Sequence, residues 1–372
     1  MMNNQSASNG IIRVHRGELQ SDGLHSGVQF TYALRMGRML RVRHGCYVAA
    51  ETWLSAPPWV RYDIALVAAG LSDQTPIFCR QAALRLHGIP LLSTPATVTA
   101  RTAQHGRAGV RHTGPMSGTV PIEKFVEKYR ARFAEPQSLD LQDFENIPSQ
   151  RIEPALPYGV SRSALREQMR GGNYRQPQVE LPAEALDPVR GVSGHYLAEP
   201  LELALVDTVP RLPFLEAVVI LDAARNRQLQ DFRQWLPQLR SKRLRQNWER
   251  AWEFADARAE SPLESASRGL VHQLGFRTPT PQVVISTDEG RFRVDLAWLD
   301  DGVVAEIDGR EKYYDDAMLN GHDPRDIAYR EKQRRDALDR HGWKVVRWGY
   351  AEMRTPELIS RRLAEAGVSP RV

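Results

Sequence analysis

Arg291-Phe292-Arg293-Val294-Asp295-Leu296-Ala297-Trp298-Leu299-Asp300-Asp301-Gly302-Val303-Val304-Ala305-Glu306-Ile307-Asp308-Gly309 decides how the last third of the chain is read. Phe292, Val294, Leu296 and Trp298 alternate with Arg291, Arg293, Asp295 and Ala297. Beyond the Asp-Asp-Gly, Val303, Ala305 and Ile307 alternate with Val304, Glu306 and Asp308. Period-two alternation on both sides of a turn predicts a β-hairpin. A two-residue loop at Asp300-Asp301 sets Asp295 directly opposite Glu306 and gathers every apolar residue of the pair on one face, whereas an odd-length loop would mix the faces. Asp295, Glu306 and Asp308 are then expected to converge, with opposed pairs ~4.5–5.5 Å apart. Three carboxylates at that spacing repel one another unless a cation lies between them. Oxygen ligands suit Mg²⁺, which activates water and stabilises a phosphoryl transition state. The plainer reading makes Asp295 and Glu306 part of a solvated sheet face, ion-paired to Arg291 and Arg293, with Asp308 a turn former.

Working outward, Ser261-Pro262-Leu263-Glu264 is a capping box with proline at the first helical position, so a helix is expected to run to Leu274. Residues 282–286 read as a further strand. Asp323-Pro324 opens a helix that ends near His341-Gly342, residues 344–348 form a strand and residues 356–366 a closing helix. The order is α-β-β-β-α-β-α. Glu264 is explained either by the cap or as a fourth site carboxylate. Ile327, Glu331, Arg334 and Leu338 share one helical stripe. Glu331 and Arg334 there form either a surface ion pair or a pair aimed at the carboxylates, Glu331 positioning water or metal and Arg334 holding phosphate.

A helix bearing Glu264, then Asp295, then Glu306-Ile307-Asp308-Gly309 resembles the core of the PD-(D/E)XK restriction-endonuclease-like nucleases. More closely it resembles the endonuclease-like domains related to very-short-patch DNA repair enzymes. Lys312-Tyr313, Glu331-Lys332-Gln333-Arg334-Arg335-Asp336 and Gly342-Trp343-Lys344-Val345-Val346-Arg347-Trp348 match the later motifs of that family. The resemblance implies that Asp295 and Glu306 ligate the metal, with Mg²⁺ the expected cofactor. Asp308 stands where many members carry the catalytic lysine, and Lys312 is the candidate to replace that cation. The candidate catalytic set is Glu264, Asp295, Glu306, Asp308, Lys312 and Glu331; the candidate metal ligands are Asp295, Glu306 and Asp308.

At the front of the chain, Ser26 caps a helix reaching about Met36, and Gly37 ends it. Residues 38–42 and 46–48 read as two strands joined through Arg43-His44-Gly45. Short helices followed by a hairpin are the order of a winged helix-turn-helix. Phe30, Ala33 and Leu34 face inward, leaving Gln29, Tyr32 and Arg35 outward, while Arg38, Arg41, Arg43 and His44 crowd the helix end and wing. Gln and Arg read base edges in a major groove and wing cations hold phosphates. A helical module that packs or binds protein is the alternative. The stretch Gly37 to Tyr47, with Cys79-Arg80-Gln81-Ala82-Ala83 and Leu86-His87-Gly88-Ile89-Pro90, resembles the AbiEi-type antitoxin family. That resemblance implies DNA as a partner and a cognate toxin as another.

The expected fold class is a multidomain α+β chain, with a winged helix-turn-helix in front and an α-β-β-β-α-β-α endonuclease-like domain behind. The expected boundaries are 11–56 for the winged helix, 57–125 for a small α/β unit, 126–195 for a Pro/Gln-rich linker or insertion, 196–258 for a helical connector and 259–372 for the last domain. A chain of 372 residues accommodates several domains. Two cysteines, Cys46 and Cys79, support neither a disulfide framework nor a cysteine zinc site. No apolar run approaches a bilayer span and Met1–Gly10 has no apolar signal region, so a cytoplasmic protein without membrane contact is expected. The net charge of +5, carried mainly by arginine, suits a polyanionic partner. No motif indicates a small-molecule substrate. The expected function is DNA binding joined to Mg-dependent phosphodiester cleavage. The alternative is an antitoxin-type transcriptional regulator whose nuclease fold only binds, and a protein-interaction scaffold is the third reading.

Overall fold

A computed structural model of the chain describes residues 10–17, 27–36, 38–72, 76–113, 147–157, 160–191, 194–227, 229, 232–308 and 333–371. The protein is mixed α+β, with several sheets. It divides into two compact units. The first comprises Met1–Ile89, Ser93–Thr208 and Asp231–Leu239; the second comprises Pro90–Leu92, Val209–Gln230 and Arg240–Val372.

In the first unit, β1 (Ile12–Arg13) pairs in parallel with β10 (Val189–Arg190). A small sheet of order β2-β4-β3 joins His15–Arg16, Cys46–Ala49 and Met39–Arg43. Residues 15 and 16 are therefore strand. The helix Gly27–Arg35 rests on this sheet through Phe30, which stacks on Tyr47 at 4.7 Å. Helix Pro58–Ser72 is buried along most of its length, as its apolar run from Ile64 to Ala69 demands. A six-stranded sheet follows, of order β7-β8-β6-β5-β11-β9. Its strands are β5 (Ile77–Phe78), β6 (Thr97–Thr102), β7 (Gly109–Arg111), β8 (Ser149–Pro154), β9 (Val179–Pro182) and β11 (His195–Ala198).

This sheet crosses the expected boundaries. Residues 147–191, read as part of a linker or insertion, supply β8, which lies between β7 and β6, and β9, which closes an edge. Proline and glutamine weaken local periodicity, yet the six residues of β8 all pair with β6, and Gln150, Arg151 and Ile152 pair with β7 as well, so their backbone partners come from other strands. Residues 126–146 lie outside the described residues. The expected connector is likewise split: helix Leu201–Thr208 belongs to the first unit, while helices Phe214–Arg225 and Lys242–Phe254 belong to the second.

The second unit is built on a four-stranded sheet of order β12-β13-β14-β15, from Thr280–Thr287, Gly290–Trp298, Val303–Asp308 and Lys344–Gly349. The first three strands are antiparallel neighbours, and β14 and β15 are parallel. Ser261 caps helix Pro262–Gln273 by accepting from the Glu264 N–H. That helix and Pro356–Ala366 bury Leu270, Val271, Ile359 and Leu363 with Leu296, Trp298, Val303, Ala305, Ile307 and Trp348. Residues 333–340 are helical, and Leu338 among them packs with Ile285, Val294, Ala297 and Val304. The sheet thus has an apolar cluster on each face. Gly269 lets helix Pro262–Gln273 approach Phe214–Arg225, since a Cβ there would stand 2.9 Å from Leu215 Cδ2.

Candidate functional site

The hairpin register is the one that the two-residue loop implies, with Trp298 paired to Val303, Ala297 to Val304 and Leu296 to Ala305. The main-chain ladder stops there, one position short of Asp295 and Glu306. There the Asp295 carboxylate replaces a backbone acceptor: its Oδ2 takes the Ile307 N–H at 2.7 Å. The apolar alternation does not run through this point as expected. Val294 joins Ala297 in one cluster, whereas Leu296 and Trp298 belong to the other. On the neighbouring strand Gln282 has φ +54°, and the β12–β13 pairing is interrupted there, between Pro281–Leu296 and Val283–Val294.

Glu306 is only 7% exposed, so the solvated-face reading does not hold for it. Arg334 approaches its Oε1 at 2.9 Å and Arg347, its partner in the β14–β15 register, binds its Oε2. Arg334 also donates to the Arg293 carbonyl at 2.6 Å. Arg293 pairs with Glu260 rather than with the hairpin carboxylates. Asp308 ends β14, exposed, opposite Gly349. Glu264 is buried in its capping box, accepting from Ser261 Oγ at 2.9 Å, Glu260 N at 3.0 Å and Gln282 Nε2 at 2.8 Å. Lys312 and Glu331 lie outside the described residues.

Magnesium does not fit these carboxylates as they stand. It demands near-octahedral oxygen ligands at about 2.0–2.1 Å, whereas both Glu306 oxygens hold guanidinium groups, Asp295 holds a main-chain N–H and Glu264 closes a helix cap. Among the described residues, no three His, Cys, Asp or Glu side chains gather to hold a metal ion.

At the other candidate surface, Gln29, Tyr32, Arg35, Arg38 and Arg41 are exposed. Val28, Tyr32 and Met36 form an outward stripe, 68%, 61% and 50% exposed, at i, i+4 and i+8. Arg43 departs from the group: it is half-buried, and its Nη1 donates to Gln150 Oε1 at 2.8 Å, tying the hairpin to β8.

Sequence reasoning missed a buried ionic hub in the first unit. Arg101, with no exposed side-chain area, holds Glu199 at 2.8 Å and Asp207 at 2.8 Å. Arg80 joins Asp207 at 2.9 Å and Glu153 at 2.6 Å, and Arg151 joins Glu153 at 2.7 Å. Three arginines face three carboxylates in these pairs. One signal was visible: an Arg in the otherwise uncharged strand Thr97–Thr102 and an Asp in the apolar helix Leu201–Thr208.

No family model matches the chain, no curated protein is similar to it, and no solved structure matches it.

Proposed function

We propose that the chain is a nucleic-acid-binding protein of the antitoxin or regulator class, with a winged-helix reader in front and an endonuclease-like unit that serves for binding. The observation that carries the reading is the outward face of helix Gly27–Arg35. Phe30 anchors the helix by stacking on Tyr47, so Gln29, Tyr32 and Arg35 point away from the small sheet. Arg38 and Arg41 stand exposed beside them. Such a face offers hydrogen bonds to base edges, apolar contact to thymine methyls from Val28 and Tyr32, and cations to the phosphates. Replacing Arg35, Arg38 and Arg41 together with Ala is expected to weaken duplex binding and to flatten its log–log salt dependence by about 0.9 for each phosphate no longer neutralised. Fluorescence anisotropy at salt concentrations from about 50 mM to about 200 mM reads this, and unchanged affinity with unchanged slope removes the front surface from the interface.

The order α-β-β-β-α-β-α and the parallel β14–β15 pair support the endonuclease-like reading of the second unit. The two guanidinium groups on Glu306 favour binding over cleavage there. A second reading, phosphodiester cleavage, is favoured by Asp295 and Glu306 lying just beyond the Leu296–Ala305 pair, with Asp308 two residues on. Incubating the purified chain with plasmid and Mg²⁺ or Mn²⁺ separates the two. We expect no nicking; cleavage that disappears in Asp295→Ala and Glu306→Ala establishes the second reading.

A further inference from the structure

Past the Leu296–Ala305 pair the main-chain ladder between β13 and β14 ends, and side chains hold the fork between the two strands. Asp295, on β13, reaches the Ile307 N–H of β14 at 2.7 Å. Arg334 spans the same fork: its Nη2 lies 2.6 Å from the Arg293 carbonyl of β13 and 2.9 Å from Glu306 Oε1 of β14. Arg347 arrives from β15, where it is the register partner of Glu306, and binds Oε2.

Neither guanidinium is a loose surface group. Arg334 stands one helical turn before Leu338, on the same side of helix 333–340, and Leu338 packs with Ile285, Val294, Ala297 and Val304. Arg347 is set by strand register, and its carbonyl accepts from Arg362 Nη1 at 2.6 Å. One guanidinium neutralises one carboxylate, yet the buried Glu306 holds two, and taking charge out of water is costly. Its neighbours account for the second cation. Asp295 lies on the facing strand against Ile307, and Asp308 follows two residues on, so three carboxylates share this stretch. Carboxylates crowded together repel unless cations lie among them. Two guanidinium groups carry the same charge as one Mg²⁺, need no octahedral oxygen shell, and present planar forks that match carboxylates.

We infer that Arg334 and Arg347 stand permanently in for the divalent cation that this carboxylate pattern calls for. The mismatch with magnesium is then a substitution of one kind of cation by another. A guanidinium compensates charge and grips phosphate, but it offers no coordination position on which water ionises. The second unit therefore keeps its fold without metal. This deepens the binding reading of that unit given above and rests on it.

The test melts the full chain in EDTA and in millimolar MnCl₂, and counts bound Mn²⁺ by EPR. Wild type is expected to melt alike in both and to bind no ion at Glu306. Arg334→Gln/Arg347→Gln leaves Glu306 uncompensated and should melt about 4 °C or more lower in EDTA. In MnCl₂ it should regain at least half of that loss and bind about one ion per chain. Adding Glu306→Gln should abolish the recovery and the bound ion together. Arg334→Lys/Arg347→Lys keeps the charge and should stay blind to Mn²⁺. A wild type that Mn²⁺ stabilises, with the effect lost in Glu306→Gln, overturns the inference, because metal and arginine then share the site. So does an Arg334→Gln/Arg347→Gln chain that Mn²⁺ neither stabilises nor refolds, and so does Mn²⁺ uptake by the lysine pair equal to that of the glutamine pair. No arm contains nucleic acid, so a chain that binds no duplex removes the nucleic-acid reading and leaves the metal result standing.

Discussion

Arg101 and the two carboxylates it grips are sealed from solvent, so removing one member strands a charge in the interior. Arg101→Ala is expected to cost about 3–5 kcal/mol, read as a lower urea midpoint with an unchanged slope. A cost below about 1 kcal/mol would mean that water reaches the hub. Asp295→Ala leaves the Ile307 N–H without its acceptor and should cost about 1–3 kcal/mol, whatever the second unit does to nucleic acid. Burial pushes the Cys46 thiol up to about 11, and burial also raises Cys79. Both thiols should therefore resist iodoacetamide at about pH 8 until urea unfolds the first unit; fast native alkylation of either would place it at the surface. At this scale the register of Leu296, Ala297 and Trp298 against Ala305, Val304 and Val303 was legible from turn length, while the face taken by each carboxylate was not. Nor were the partners of those carboxylates. A carboxylate's choice between a metal, an arginine and an N–H is made by atoms distant in sequence, as Arg101 with Glu199, 98 residues away, illustrates.

The helix of residues 333–340 is hooked at its end to the turn between β12 and β13, where His341 meets Asp288. The Asp288 carboxylate, with the Ala337 carbonyl, holds the His341 imidazolium pKa above its usual range; the same pair holds Asp288 below its own. A raised histidine contributes stability that is fully present below its unfolded pKa and lost as pH rises through the folded value. A lowered aspartate contributes stability present above its unfolded pKa and lost as pH falls through the folded value. The hook should thus hold best between the carboxylate and imidazole ranges, near about pH 5–6. Melting curves from about pH 4 to about pH 9 should show wild type losing its advantage over His341→Gln as pH rises above about 6.5; parallel curves would mean that the contact carries no stability. The elements of the second unit were readable because long alternating or capped segments carry their own signal. In the first unit β5 has two residues and β9 four, too short for periodicity, and their existence follows from the strands beside them.

For the molecule as a whole, order along the chain and order in space disagree. β8 sits between β7 and β6, and β11 between β5 and β9, so the six-stranded sheet is assembled from segments on both sides of residues 114–146. A fragment ending at residue 125 lacks β8, β9 and β11 and should therefore show little dispersed amide signal by NMR. A fragment covering residues 1–240 retains every segment of the first unit and should fold cooperatively. Sharp dispersion from the shorter piece would restore the expected independent domain at 57–125. Composition marks where local signal is weak, whereas a sheet recruits strands by pairing.

The parallel pairing of Ile12–Arg13 with Val189–Arg190 carries a consequence for biosynthesis. A ribosome adds about 5–20 residues each second, so β1 emerges and then waits roughly ten to thirty-five seconds for its partner. Throughout that interval the nascent chain displays an unmatched strand edge. The first unit cannot close vectorially from its N-terminus. Codon-dependent pausing before Val189 leaves the exit tunnel would lengthen the exposure.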